Sequence, residues 1–205
     1  MGNSGIRTGQ LGRFSDQGAK NGELNNKRLQ VFAKKEEQAY VPAVRLLTIW
    51  FGANDSVLPS ERQHVPLAQF VANLKHLIAM VRSPSSEYYS PKTRILLISP
   101  PPVNTYQRGA ELASRDPPRA CDREFEYTKL YARAVVKTAQ DEGVAIADVW
   151  TVIWKAAGEE ERALSAYLSD GLHLNEKGYE VRGISACAMK VSVDDLFDIS
   201  SPTTS

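Results

Sequence analysis

In "DGLHLN", residues 170–175, Asp170 stands three positions before His173, one of only three histidines in the chain. Two readings of the fragment are open. Asp-Gly forms turns readily, and Asn175 would cap a helix beginning at Glu176. Alternatively, Asp170 orients the His173 imidazole and His173 works as a general base. A second fragment with chemical potential is "GAND", Gly52 to Asp55. Gly52 and Ala53 leave room for a substrate near the backbone, and the Asn54 amide offers two N–H donors suited to a developing oxyanion. The same four residues also make an ordinary turn. His64 lies in a loop with no acid at a suggestive spacing. His76 falls off the apolar stripe of a helix and is expected at the surface.

Both fragments need a frame. "VRLLTIWF" (44–51) runs directly into "GAND", and residues 46–51 carry one polar side chain, Thr48. So short and apolar a run predicts a strand covered on both faces, as in a parallel sheet. "TRILLIS" (93–99), stopped by Pro100, Pro101 and Pro102, is a second strand, and "VAIADV" (144–149) a third. Leu67, Phe70, Val71, Leu74, Ile78 and Val81 recur on one helical face, which predicts a helix over 66–81 with Pro66 in its first turn. A helix over 121–143 has Asp122 as its N-cap and Gly143 as its stop. Shorter helices are expected over 29–40, 150–157 and 159–168. Residues 103–120 read as a long connection, either a lid or pocket wall or a loose loop, with Tyr106, Arg108 and Arg115 as candidates to line a pocket. Strands alternating with helices imply right-handed crossovers. In such sheets ligands bind beyond the C-terminal strand ends, where "GAND", "PPPVN" and "DGLHLN" would share one rim.

Composition narrows the function classes. A net charge of +1 over 205 residues leaves no electrostatic footprint for nucleic acid. Cys121 and Cys187 are far apart and lack metal-ligand spacing, so two free thiols in a reducing compartment are expected, with no zinc. The N-terminus lacks a signal-peptide core, no run is long enough to span a membrane, and Ile6 breaks the myristoylation pattern. A cytoplasmic protein without a membrane partner is the expectation.

"GAND" after a buried strand, together with "DGLH" before a final helix, resembles the SGNH hydrolases, the GDSL-type esterases and lipases. Gly52, Ala53, Asn54 and Asp55 match that family's third block, G-x-N-D. Asp170 and His173 match its last, D-x-x-H. "VRLLTIWFGANDS" and "SDGLHLNEKGYEV" are similar to its isoamyl-acetate-hydrolysing branch, from about Phe32 to Val181. The resemblance implies a three-layer α/β/α, flavodoxin-like parallel sheet. It implies ester hydrolysis of small, acetate-like substrates by a Ser-His-Asp mechanism, without a cofactor or metal. His173 would exchange the proton, Asp170 would hold the imidazole, and Asn54 with Gly52 would line the oxyanion hole.

The ends depart from the family pattern. No GDS block is present, and no apolar strand precedes residue 29. The nearest imitation is "GNSGIRTG", which puts Ser4 at the nucleophile's place with three residues in front of it. The nucleophile is thus unassigned, and so is the second-block glycine, for which Gly18 and Gly22 are candidates. The expected organisation is a divergent segment over 1–28, an esterase domain over 29–181 and a divergent tail over 182–205. Such ends suggest a truncated or alternatively spliced product or an imperfect gene model, an N-terminally incomplete sheet, and marginal stability or association. A non-catalytic relative, a pseudoenzyme or binding protein, is the competing expectation.

Overall fold

Three apolar runs too short for helices become strands: β1 (Leu46–Trp50), β2 (Arg94–Ile98) and β3 (Ala145–Ala147). A computed structural model describes residues 33–181 of the chain. The strands pair in parallel in the order β1-β2-β3, with Ile49 opposite Leu97 and Leu97 opposite Ile146. Helices α1 (Leu67–Arg82) and α3 (Phe125–Asp141) occupy the crossovers. This is the α/β fold with a parallel sheet that the alternation predicted.

One sheet face presents Ile49, Ile95 and Leu97 to α1 and α3. Phe70, Leu74 and Ile78 of α1 and Tyr131 and Val135 of α3 complete that core. Each such fully buried side chain is worth about 1.5–3 kcal/mol relative to exposure. Alternation sends Ile98 to the opposite face. There it packs in a second cluster with Val149 and Ile153 of α4 (Val149–Ala156), and with Leu164, Leu168 and Leu174. The α1 stripe is the expected one, with Pro66 at the N-cap position instead of in the first turn. His76 is exposed, also as expected.

Several expectations require correction. Among the described residues the β1 strand is covered on one face only: Leu46 and Trp50 are each 41% exposed, on the side opposite Ile49. The sequence run was apolar enough for a doubly buried strand, yet among the described residues only the Ile49 side is packed. Residues 103–120 are not a loop throughout, for α2 (Thr105–Ala113) lies inside them. Its N-cap is Asn104, whose side chain accepts from the Gln107 N–H. Asp122 is not a helix cap. Helix α3 begins at Phe125, and Asp122 is instead buried among arginines. The segments expected as helices over 29–40 and 159–168 hold 3₁₀ turns at Lys35–Tyr40 and Arg162–Ala166. Gly143 does end α3, at φ +58°. No described helix is long and apolar enough to cross a membrane.

Candidate active site

The three expected rim loops do meet. Gly52 follows β1 with φ +113°, and a side chain there would press on the Pro100 ring. Asn104, at the end of the proline run, donates its N–H to the Gly171 carbonyl over 2.9 Å. The loops after β1 and β2 and the "DGLHLN" turn thus form one continuous rim.

The turn is tied at its neck. Leu168 and Leu174 form an antiparallel bridge, and the Ser169 N–H donates to the His173 carbonyl over 2.8 Å. Inside the loop, Asp170 Oδ1 accepts the N–H groups of Leu172 and His173 at 3.0 and 2.9 Å. Its Oδ2 accepts from His173 Nδ1 at 2.9 Å. The carboxylate therefore fixes the imidazole through the ring and through the backbone that carries it. Asn175 accepts the Gly178 N–H and so caps the short helix α5 (Glu176–Glu180). The structural part of each opening reading is present: Asn175 caps the helix, and Asp170 holds the His173 ring. With Nδ1 engaged, the His173 side chain stays 70% exposed, so Nε2 faces outward.

Asp170 has one more partner, which sequence reasoning missed. Arg108 Nη1 donates to Asp170 Oδ2 over 3.2 Å. Arg108 is buried, and its Nε and Nη2 fork onto Asp122 Oδ1 and Oδ2, each at 3.2 Å. It was expected to line a pocket and instead sits inside an ion-pair cluster. Arg115 is exposed and pairs with Glu111. Tyr106 stacks under the Arg162 guanidinium at 3.7 Å. The signal that could have exposed Arg108 is its helical spacing to Leu112, the other buried residue of α2.

Burial alone would raise the Asp170 carboxyl, but the His173 N–H, the imidazole and the Leu172 N–H together hold it below its ordinary range. Burial likewise opposes ionisation of Asp122, and the Arg108 hydrogen bonds with the Arg123 charge reverse the balance. Both folded-state values lie below the unfolded value near 4, so their stabilisation is complete above about pH 4 and is lost as pH falls through the folded values. Urea midpoints are expected to hold steady through neutral pH and decline in acid. Asp170→Asn is expected to start lower at neutral pH and decline less steeply. Parallel acid limbs for the two proteins would refute the assignment for Asp170.

At the other loop, the Asn54 amide makes no hydrogen bond among the described residues, and the residue is half-buried. The loop beneath it is well held. Gly52 N–H donates to the buried Asp55 carboxylate at 3.2 Å, and Ser56 N–H donates to the Gly52 carbonyl at 3.0 Å. Arg123 donates from Nε and Nη2 to the Ala53 carbonyl at 3.3 and 3.1 Å. The rim therefore carries an outward imidazole nitrogen and an amide whose donors have no partner among the described residues.

A model of the GDSL-like lipase/acylhydrolase family matches residues 2–181, a span that includes both loops. The chain belongs to this family. Among GDSL-like relatives, it is 39% identical over 143 residues to the isoamyl acetate-hydrolyzing esterase 1 homolog of Bos taurus, covering 65% of this chain and 51% of that protein. It is 32% identical over 141 residues to a GDSL esterase/lipase of Arabidopsis thaliana, covering 64% and 53%. The chain spans about half the length of the curated relatives it matches. A crystal structure from Parabacteroides merdae, described as a GDSL-like lipase, has the same fold, with a TM-score of 0.50 at 14% identity over 71% of this chain and 59% of that one.

Ser4, Gly18 and Gly22 lie outside the described residues, as does Cys187. Cys121 is a free thiol, as expected. Among the described residues no serine hydroxyl hydrogen-bonds the His173 ring.

Proposed function

We propose that this GDSL-like chain is a carboxylic ester hydrolase acting on small, acetate-like esters. The observation that carries the reading is the Asp170–His173 pair, closed at 2.9 Å with the second imidazole nitrogen outward. Membership of the family and the names of the relatives support the substrate class. In the proposed reaction His173 Nε2 takes the proton of a serine hydroxyl as its oxygen adds to the ester carbonyl. The carbonyl oxygen gains charge and is met by the Asn54 N–H donors, with Gly52 leaving the space beside it. Imidazolium then gives its proton to the departing alcohol. Water repeats the cycle on the acyl-serine, releasing the acid and restoring the hydroxyl. Asp170 stays ionised throughout, fixing the tautomer and steadying the imidazolium.

The serine is sought first at Ser4, because the family match begins at Gly2 and so takes in "GNSG". The test is reaction of the full chain with a fluorophosphonate probe, followed by peptide mapping. One labelled serine names the nucleophile. Soluble, folded protein that takes no label would refute the hydrolase reading. It would favour a second one, a binding relative, which rests on the absence of a serine against the His173 ring among the described residues.

If a serine is labelled, Asn54→Ala is expected to lower kcat for a short-chain acetate ester about 10²- to 10³-fold with little change in KM, since the amide would act only on the developing oxyanion. A change in KM alone would place Asn54 in substrate binding.

A further inference from the structure

The two halves of the site are joined by buried charge. Asp122 sits between two arginines. Arg108 forks onto it and reaches on to Asp170, the residue that holds His173. Arg123 Nη1 lies 2.7 Å from Asp122 Oδ1, a charge contact whose hydrogens are not aligned for a hydrogen bond. Arg123 reaches on to the Ala53 carbonyl, next to Asn54. An unbroken path runs from the imidazole to the proposed oxyanion loop: His173, Asp170, Arg108, Asp122, Arg123, Ala53. The Arg108, Asp122 and Arg123 side chains are 7%, 7% and 2% exposed, so water cannot substitute along it.

Stability alone is a poor account of so much buried charge. Desolvation offsets most of the Coulombic gain of buried pairs, whereas forked guanidinium–carboxylate contacts fix direction closely. The Asp170 carboxylate is also saturated: Oδ1 holds two backbone N–H groups, and Oδ2 holds the imidazole and Arg108. A shift of Arg108 must therefore move the carboxylate, the imidazole, or both.

We propose that Arg108, Asp122 and Arg123 are positioning residues, a buried bridge that sets the Asp170–His173 turn and the Gly52–Asn54 loop relative to one another. Its catalytic meaning rests on the hydrolase reading above. Its mechanical meaning does not, and hydrogen exchange reads it without any substrate.

The experiment is native-state amide exchange by NMR on the full chain, comparing wild type with Arg108→Lys and Arg123→Lys. Each variant keeps its charge and loses the fork. The reporters are the Leu172 and His173 amides on one side and the Gly52 amide on the other, with the β2 amide of Leu97 as the core reference. Each variant is expected to speed exchange in the far loop as well as the near one, by about threefold to tenfold, with Leu97 unchanged. Arg123→Lys would then loosen His173, and Arg108→Lys would loosen Gly52. Loosening confined to the near loop overturns the proposal. So does an equal rise that includes Leu97, because the three residues would then supply only general stability. Asp122→Asn is the second variant, expected to loosen both loops together; a response in one loop alone also overturns the bridge.

Discussion

Replacing His173 with alanine is expected to lower ester hydrolysis by the full chain about 10³-fold or more and to abolish fluorophosphonate labelling, while leaving the unfolding midpoint nearly unchanged. The asymmetry follows from where the ring sits. The side chain is 70% exposed, so its removal uncovers little apolar surface and leaves no cavity. The backbone of the turn keeps its own ties, because Asp170 Oδ1 still accepts the N–H groups of residues 172 and 173. Besides the proposed proton acceptor, the one hydrogen bond lost is that of Nδ1 to Asp170 Oδ2, an oxygen that Arg108 still holds. A serine without a base is a weak nucleophile, so labelling and turnover should fall together. Labelling that persists at the wild-type rate would show that another group activates the serine, and His173 would lose its assigned role.

Gly171→Ala is expected to cost about 3–5 kcal/mol of stability and to lower Tm by about 10 °C. Gly171 has φ +82°, and an added Cβ would lie 2.5 Å from the Arg108 nitrogen, 2.6 Å from the Asn104 oxygen and 2.9 Å from the Arg108 Cα. All three are backbone atoms at the start of α2, so no rotamer change relieves the clash. The turn cannot withdraw either, since the Gly171 carbonyl accepts the Asn104 N–H. Gly143→Ala supplies the comparison. It also has positive φ, +58°, but nothing lies within 4 Å of the added Cβ. Only the left-handed backbone penalty of about 1–2 kcal/mol remains there. Chemical denaturation of both variants checks the difference, and equal losses would show that steric contact at Gly171 is not the cause.

The legible parts of the fold share one property: their partners are close in sequence. The α1 stripe repeats every three or four residues, and the Asn175 cap reaches three residues ahead to Gly178. Asp170 and His173 also stand three apart, and so could be read as a unit. Arg108 was read as a pocket-lining residue and not as part of an ion-pair cluster because its decisive partners, Asp122 and Asp170, lie 14 and 62 residues away. Helix α2 was hidden by the three prolines before it and by an arginine in place of an apolar residue on its buried side. The Asn104 cap on Gln107 was the local sign of it. For β1 the limit was of another kind. Leu46, Thr48 and Trp50 record that one side could be buried, and composition alone does not say whether a packing partner lies against it.

The neck of the "DGLHLN" turn has a consequence for how this segment can change. Leu168 and Leu174 are bridged, and five residues complete the ring between them. The ring works as a ruler. Its length, together with the Asp170 carboxylate, decides which way position 173 looks. A residue added or removed inside it would break either the Ser169–His173 tie or the bridge itself, and would move the imidazole off the Asp170 carboxylate with both side chains still present.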